Sequence, residues 1–204
     1  KRIAFLNKYS LIFHFLLACL LILAVETISR RDFVSAITFI SNHTLAFLYN
    51  ALIIFASLSL VYLTKYRTQM RILISGLWIF LGTVNGLILS NRVTPFSYTD
   101  LKCLPDLFAM QNTNYFTAEE ATMVVSVVVA FFVILGLLFA KGPRYQGKRH
   151  TVLGPVSIAA LILIGLPITT QAAQSSNILA SYFANIAQGY SDYGFVYGFS
   201  TSVV

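Results

Sequence analysis

With 204 residues, the chain has room for one or two domains. Apolar residues make up 57% of it and charged residues 10%, against about 25% charged in an ordinary soluble domain, and the mean hydropathy is +0.77. These values exclude a water-soluble globule and direct the reading toward a bilayer.

The apolar residues come in blocks rather than in an amphipathic rhythm, and a hydrocarbon core needs blocks of ~20 residues. In chain order they cover 9–29, 45–63, 72–90, 121–140 and 152–170. Inside lipid the backbone must pair within each segment, so the blocks predict five transmembrane helices and an all-α, polytopic membrane protein. Lys1 and Arg2 precede the first block as in a signal sequence, but no Ala-x-Ala exit follows, which favours an uncleaved anchor. A start at Lys1 rather than Met reads as an excised segment. Thr117-Ala118-Glu119-Glu120 is a capping box for the fourth helix. Gly142-Pro143 closes that helix, and Pro167 is expected to kink the fifth. Cys19 and Cys103 do not make a disulfide framework, and three scattered histidines (His14, His43, His150) add no metal set. Asn42-His43-Thr44 matches a glycosylation sequon but lies too close to the second span to be used.

The cations set the orientation. Lys1, Arg2, Lys8, Lys65, Arg67, Arg71, Lys141, Arg144, Lys148 and Arg149 fall on one side of the predicted spans. Arg30, Arg31, Arg92, Lys102 and all seven acids fall on the other. The positive-inside rule then places the N-terminus in the cytoplasm and the C-terminus outside. The net charge of +7 follows from this topology and from contact with the inner leaflet, not from a nucleic-acid partner.

Two long segments lie on the predicted outer face. In the first, 91–116, Thr99 or Asp100 would cap a short interfacial helix carrying Leu101, Leu104, Leu107 and Phe108, limited by Pro105. In the second, 171–204, Ile178, Leu179, Tyr182, Phe183 and Ile186 share one helical face opposite Gln174, Ser181 and Asn185. An aromatic run follows (Tyr190, Tyr193, Phe195, Tyr197, Phe199), suited to the headgroup region. Below this face, Asn50 and Asn85 each lie on the order of 8–10 Å inside a span and are placed to bond to each other. Glu26 and Arg30 have ion-pair spacing, and Arg92 tops the third span. Two readings fit these residues: a polar pocket that holds an anionic headgroup through Arg92, or helix-packing amides with interfacial charges. His14 reads as a packed, hydrogen-bonded histidine.

The run Arg92-Val93-Thr94-Pro95-Phe96-Ser97-Tyr98-Thr99-Asp100-Leu101 after the third span resembles the membrane domain of the lipoteichoic acid synthase family. His43-Thr44-Leu45-Ala46-Phe47-Leu48-Tyr49-Asn50 is similar to that family's second span. The stretch Asp192-Tyr193-Gly194-Phe195-Val196-Tyr197-Gly198-Phe199 is similar to its link to a catalytic domain. Phe96 where the family often has leucine, and Thr44 where it often has proline, are departures that leave the subfamily open. The resemblance implies a multi-pass protein of a Gram-positive cell membrane. Its enzyme would move glycerol phosphate from phosphatidylglycerol to a polymer on a glycolipid acceptor. The chemistry, with a threonine nucleophile and manganese, would belong to an extracellular sulfatase-like domain beyond Val204. On this reading 1–170 is the membrane domain and 171–204 the linker. The chain itself carries no catalytic residue, cofactor or metal, and Arg92, Lys102, Asn50 and Asn85 are the candidates for binding lipid or polymer phosphate. The competing readings are a non-catalytic scaffold of envelope synthesis and a small transporter. The transporter is disfavoured because only His14 and Glu26 are ionisable within the spans.

Overall fold

The computed structural model describes residues 10–103, 118–142 and 149–202. Every regular element among them is helical, because inside lipid a helix can satisfy its own backbone. The elements are α1 (Ser10–Arg30), α2 (Phe33–Asn42), α3 (Thr44–Ser59, extended by a 3-10 turn at Leu60–Leu63), α4 (Arg67–Asn91), α5 (Tyr98–Lys102), α6 (Ala118–Lys141), α7 (Arg149–Ser175), α8 (Ile186–Tyr193) and α9 (Phe195–Thr201). Four stretches among the described residues are long and apolar enough to cross a membrane: Leu11–Arg30, Thr44–Leu63, Arg67–Ser90 and Val156–Ser175. In α6 the apolar stretch so described, Val128–Lys141, is shorter.

Several boundaries differ from the hydropathy blocks for identifiable reasons. α4 begins at Arg67 rather than Ile72, because the polar residues of its first turns have partners in neighbouring helices. Gln69 Nε2 donates to Leu138 O (3.0 Å), Arg71 Nε donates to His14 Nε2 (2.8 Å), and Arg67 lies over the Tyr62 ring. α7 runs on through Pro167 to Ser175. The expected helical face over 178–186 does not form. Asn177 turns the chain with φ 56°, and the Ile178 and Leu179 N–H groups both donate to Ala173 O (3.0 and 3.2 Å). Helix resumes only at Ile186, where Asn185 Oδ1 caps the Gln188 N–H (3.3 Å). The short helix after α4 is capped from Ser97, and Asp100 sits in its first turn, neither Thr99 nor Asp100 being the cap. Thr117, Leu104, Pro105, Leu107 and Phe108 lie outside the described residues.

α1, α3 and α4 form the centre of the bundle, with α6 against α4 and α7 against α3 and its 3-10 turn. Their apolar core joins Ala18, Leu21, Ile22 and Val25 of α1 to Ala51, Ile54, Phe55 and Leu58 of α3. Successive long helices alternate in direction. One end of the bundle holds His14, Tyr62, Arg71 and Leu138, and the other holds Glu26, Asn50, Asn85 and Thr170.

Lipid tails are as apolar as leucine, so helices associate in a bilayer through close packing and polar cross-links. Several packed pairs among the described residues carry such links. α1 meets the 3-10 turn through His14 Nδ1 and the Tyr62 hydroxyl, and meets α4 through Asn85 Nδ2, which donates to Ser29 Oγ (2.5 Å). Trp78 Nε1 donates to Ser57 Oγ (3.0 Å) between α4 and α3. Gln69 links α4 to α6, and the Tyr49 and Thr170 hydroxyls link α3 to α7. Close backbone approach comes from Gly82 and Gly86, one turn apart on α4. A Cβ on Gly86 would stand 2.5 Å from Ile28 O, and one on Gly82 3.1 Å from Val25 Cγ1.

Replacing Gly86 by leucine must push α4 off α1, at a cost of about 1–3 kcal/mol. Thermal unfolding of the purified chain in detergent should show a lowered midpoint for Gly86→Leu. Gly165→Leu, at a position with nothing within 4 Å, should behave as the parent. Equal midpoints for the two variants would contradict the close α1–α4 contact.

Candidate functional site

The end of the bundle around Glu26 is closed by the chain's last helices. α8 stops at Tyr193, Gly194 reverses the chain with φ 87° and ψ 160°, and α9 starts at Phe195. That backbone conformation is essentially restricted to glycine. It also has no room for a side chain: a Cβ on Gly194 would lie 2.9 Å from both Asn50 Nδ2 and Glu26 Oε1 and 3.0 Å from Phe39 Cζ. Phe195, Val196 and Tyr197 are buried against α1, α2 and α3.

A helix N-terminus leaves backbone N–H groups without partners, and Gly194 has no side chain to cap them. The bundle supplies the caps. The Phe195 N–H donates to Glu26 Oε1 (2.7 Å), and the Tyr197 N–H donates to Asn50 Oδ1 (2.6 Å). Asn50 Nδ2 donates to Tyr193 O and to Ala46 O, both at 2.6 Å, so one amide serves the end of α8 and the start of α9. Glu26 Oε2 accepts from Arg30 Nε (2.8 Å), and Arg30 Nη2 donates to Ser191 O (2.8 Å) with its guanidinium 4.5 Å from the centre of the Phe39 ring. The carboxylate thus faces both a guanidinium and the positive end of α9.

Asn85 makes a second fastening. Its Oδ1 accepts from the Phe96 N–H (2.7 Å), which draws the segment after α4 onto the bundle. There Phe96 stacks on Phe199, Tyr190 Oη donates to Phe96 O (3.1 Å), and the Tyr98 N–H donates to Ser202 Oγ (2.9 Å). Burial pushes the Tyr190 phenol up to about 12, so it remains a donor at neutral pH. The two segments read from sequence as separate interfacial pieces therefore pack on each other.

Asn50 and Asn85 do not bond to each other. Each is 1% exposed or less, and each is satisfied elsewhere: Asn50 by backbone groups of Ala46, Tyr193 and Tyr197, and Asn85 by the Phe96 N–H and the Ser29 hydroxyl. Arg92 is not placed as an open fork. Its Nη2 donates to Asp100 Oδ2 (2.6 Å) and Pro95 O (3.3 Å), and its Nε donates to Thr94 O (2.9 Å), so it clips its own loop. Burial alone would raise the Asp100 carboxyl, but hydrogen bonds from Arg92 and the Ser97 N–H and the charge of Arg92 outweigh it and hold the group below the usual carboxylate range. Lys102 Nζ lies 4.8 Å from the Tyr98 ring centre on the exposed side of this loop. A cavity of about 310 Å³ opens beside these elements, lined by Glu26, Ser29, Arg30, Asn85, Tyr190 and Phe195 among others; Arg92, Lys102 and Asn50 are not in its wall. Its charges, Glu26 and Arg30, are paired with each other.

At the opposite end His14 is buried. Its Nε2 accepts from Arg71 Nε, which leaves the ring proton on Nδ1, facing the Tyr62 hydroxyl. Among the described residues no three His, Cys, Asp or Glu side chains converge as a metal ion would require.

Compared with known proteins, the chain matches no family model, no curated protein and no solved structure.

The capping geometry orders the effects of substitution. Asn50→Leu strands the Tyr197 N–H and the Tyr193 C=O in the interior, at about 1–3 kcal/mol for each group. Gly194→Ala adds backbone strain and a clash. Glu26→Gln retains an acceptor for Phe195 and should be milder than Glu26→Leu. Limited proteolysis between 176 and 202 reads the outcome: faster cleavage for Asn50→Leu, Gly194→Ala and Glu26→Leu, and a smaller change for Glu26→Gln. Parental cleavage rates in all four would show that these contacts do not hold the segment.

Proposed function

We propose that this chain is the membrane domain of a lipoteichoic acid synthase-like phosphoglycerol transferase. On this reading it crosses the cell membrane five times, with its N-terminus in the cytoplasm and its C-terminus outside. Its role is to hold an extracellular catalytic domain at the level of lipid headgroups, where phosphatidylglycerol and the glycolipid-anchored polymer meet. A donor that cannot leave the bilayer requires such a tether, which raises the effective concentration of the active site beside it. The observation that carries the reading is the fastening of 186–201. A slack linker would leave a following domain free to wander, whereas α8 and α9 are fixed to α1, α3 and the segment after α4 through Glu26, Asn50, Arg30 and Tyr190. The alternation of helix direction supports the topology. The aromatic run from Tyr190 to Phe199 supports the resemblance drawn from Asp192 to Phe199, since these are the residues the docking uses.

Phosphate attraction by Arg92 and Lys102 remains part of the proposal, with Arg92 reaching a phosphate only by loosening its contact with Asp100. Two variants separate this role from a clip. If Arg92 serves phosphate, Arg92→Ala in the full-length enzyme lowers polymer synthesis several-fold at normal membrane levels, while Asp100→Asn, which frees the guanidinium, does not. If Arg92 only folds its loop, the two variants fall together. The reading as a whole is tested by the coding sequence after Val204: a metal-binding, sulfatase-like domain with a threonine nucleophile supports it, and a stop codon favours the non-catalytic scaffold.

A further inference from the structure

We propose that α2 lies in the boundary between headgroups and acyl chains at the Glu26 end of the bundle, with Phe33, Val34 and Ile37 inserted among lipid tails. At ten residues and about 15 Å it is too short to cross a bilayer. It begins three residues after α1 ends, so it sits at the level where the apolar part of α1 gives out.

The helix has three sides. Ala36 and Phe39 face the bundle and are buried. Ser35, Thr38 and Asn42 form a polar side, and the hydroxyls of Ser35 and Thr38 are satisfied locally, by Asp32 Oδ2 (2.6 Å) and Val34 O (2.9 Å). Phe33, Val34 and Ile37 fall within roughly a 100° arc at 3.6 residues per turn, and are 56, 69 and 44% exposed; Ser41 shares this arc, with its hydroxyl bonded to Thr38 O (2.9 Å). Three large apolar side chains on one side, next to a side of short polar residues, describe a helix lying in an interface plane.

The occupant of that apolar side is indicated by its neighbours. Leu45 and Leu48 are exposed in the first turns of α3, a helix of membrane length that starts two residues after α2 ends. An exposed apolar side this close to the start of such a helix meets lipid. At the start of α2, Asp32 caps the Val34 and Ser35 N–H groups (3.1 and 2.9 Å) and Arg31 is exposed beside it, a charged end suited to headgroups. The side carrying Ser35, Thr38 and Asn42 is left toward water.

This placement gives a depth to the caps of α9. Glu26 lies four residues before the end of α1 and Asn50 six residues after the start of α3, about 6 and 9 Å along their helices. Both then sit below the plane of α2. The inference rests on the membrane-length helices and the exposure of α2, not on the transferase reading.

The test uses single cysteines in a chain carrying Cys19→Ala and Cys103→Ala: Phe33→Cys, Val34→Cys and Ile37→Cys, with Thr38→Cys and Asn42→Cys for comparison. Each is labelled with bimane and reconstituted in phosphatidylcholine nanodiscs. Doxyl-labelled lipid should quench the labels at 33, 34 and 37 more than those at 38 and 42, and aqueous iodide should show the reverse order. Iodide reaching all five alike would overturn the proposal, as would shielding of 33, 34 and 37 from both quenchers, which would put a protein there. If the cysteine-free background does not fold, the unsubstituted chain in nanodiscs containing a diazirine lipid gives the same decision: lipid adducts on the 31–44 peptide support the placement, and their absence overturns it.

Discussion

The end of the molecule that matters most is organised by two side chains that complete another segment's backbone. Glu26 and Asn50 accept the first N–H groups of α9, and Asn50 also donates to the last carbonyl of α8. In water such groups would hydrate at little loss. Buried away from water, each unpaired one costs about 1–3 kcal/mol, so the tail docks with its caps satisfied. Gly194 follows from the same constraint: only a residue without Cβ lets the chain reverse between those two side chains. A buried charge is also required to have a partner, and Arg30 supplies it while reaching on to Ser191 O.

The same requirement shapes the rest of the bundle. Several packed helix pairs carry a polar link, and several of these use residues that a hydropathy profile scores only as interruptions: Gln69, Arg71, Trp78, Asn85. Since lipid offers no hydrophobic gain on association, these links and the Gly82–Gly86 approach decide which helices are neighbours. His14 belongs in this group, a neutral ring held between Tyr62 and Arg71 rather than a group exposed to a proton path.

How much of this was legible in the sequence depends on the range of the interaction. Four of the long helices were legible as membrane-length apolar blocks, which have few alternatives, and the start of α4 moved because Arg67 and Gln69 find partners across the bundle. The Glu26–Arg30 pair was legible because it is local. Asn50 and Asn85 are recognisable as amides needing partners, but those partners are backbone groups of Tyr193, Tyr197 and Phe96 and the Ser29 hydroxyl, which no spacing rule points to, and the mutual bond expected between them does not form. α2 escaped notice because ten residues of mixed character fall below span length, and its three-sided pattern has meaning only once Ala36 and Phe39 are seen against α1. Arg92 was read for its charge, while its geometry shows a loop clip with Asp100. The aromatic tail carried a signal in its glycine between Tyr193 and Phe195, though its docking surface could not be inferred.

The locking of α8 and α9 to the bundle is the property on which this account turns, and it is the one to measure. Hydrogen exchange of the intact chain in nanodiscs, resolved at the Phe195 and Tyr197 amides, does so directly. Capping by Glu26 and Asn50 predicts protection comparable to that of the middle of α1. Exchange of both amides at the rate of an unstructured tail would contradict the account.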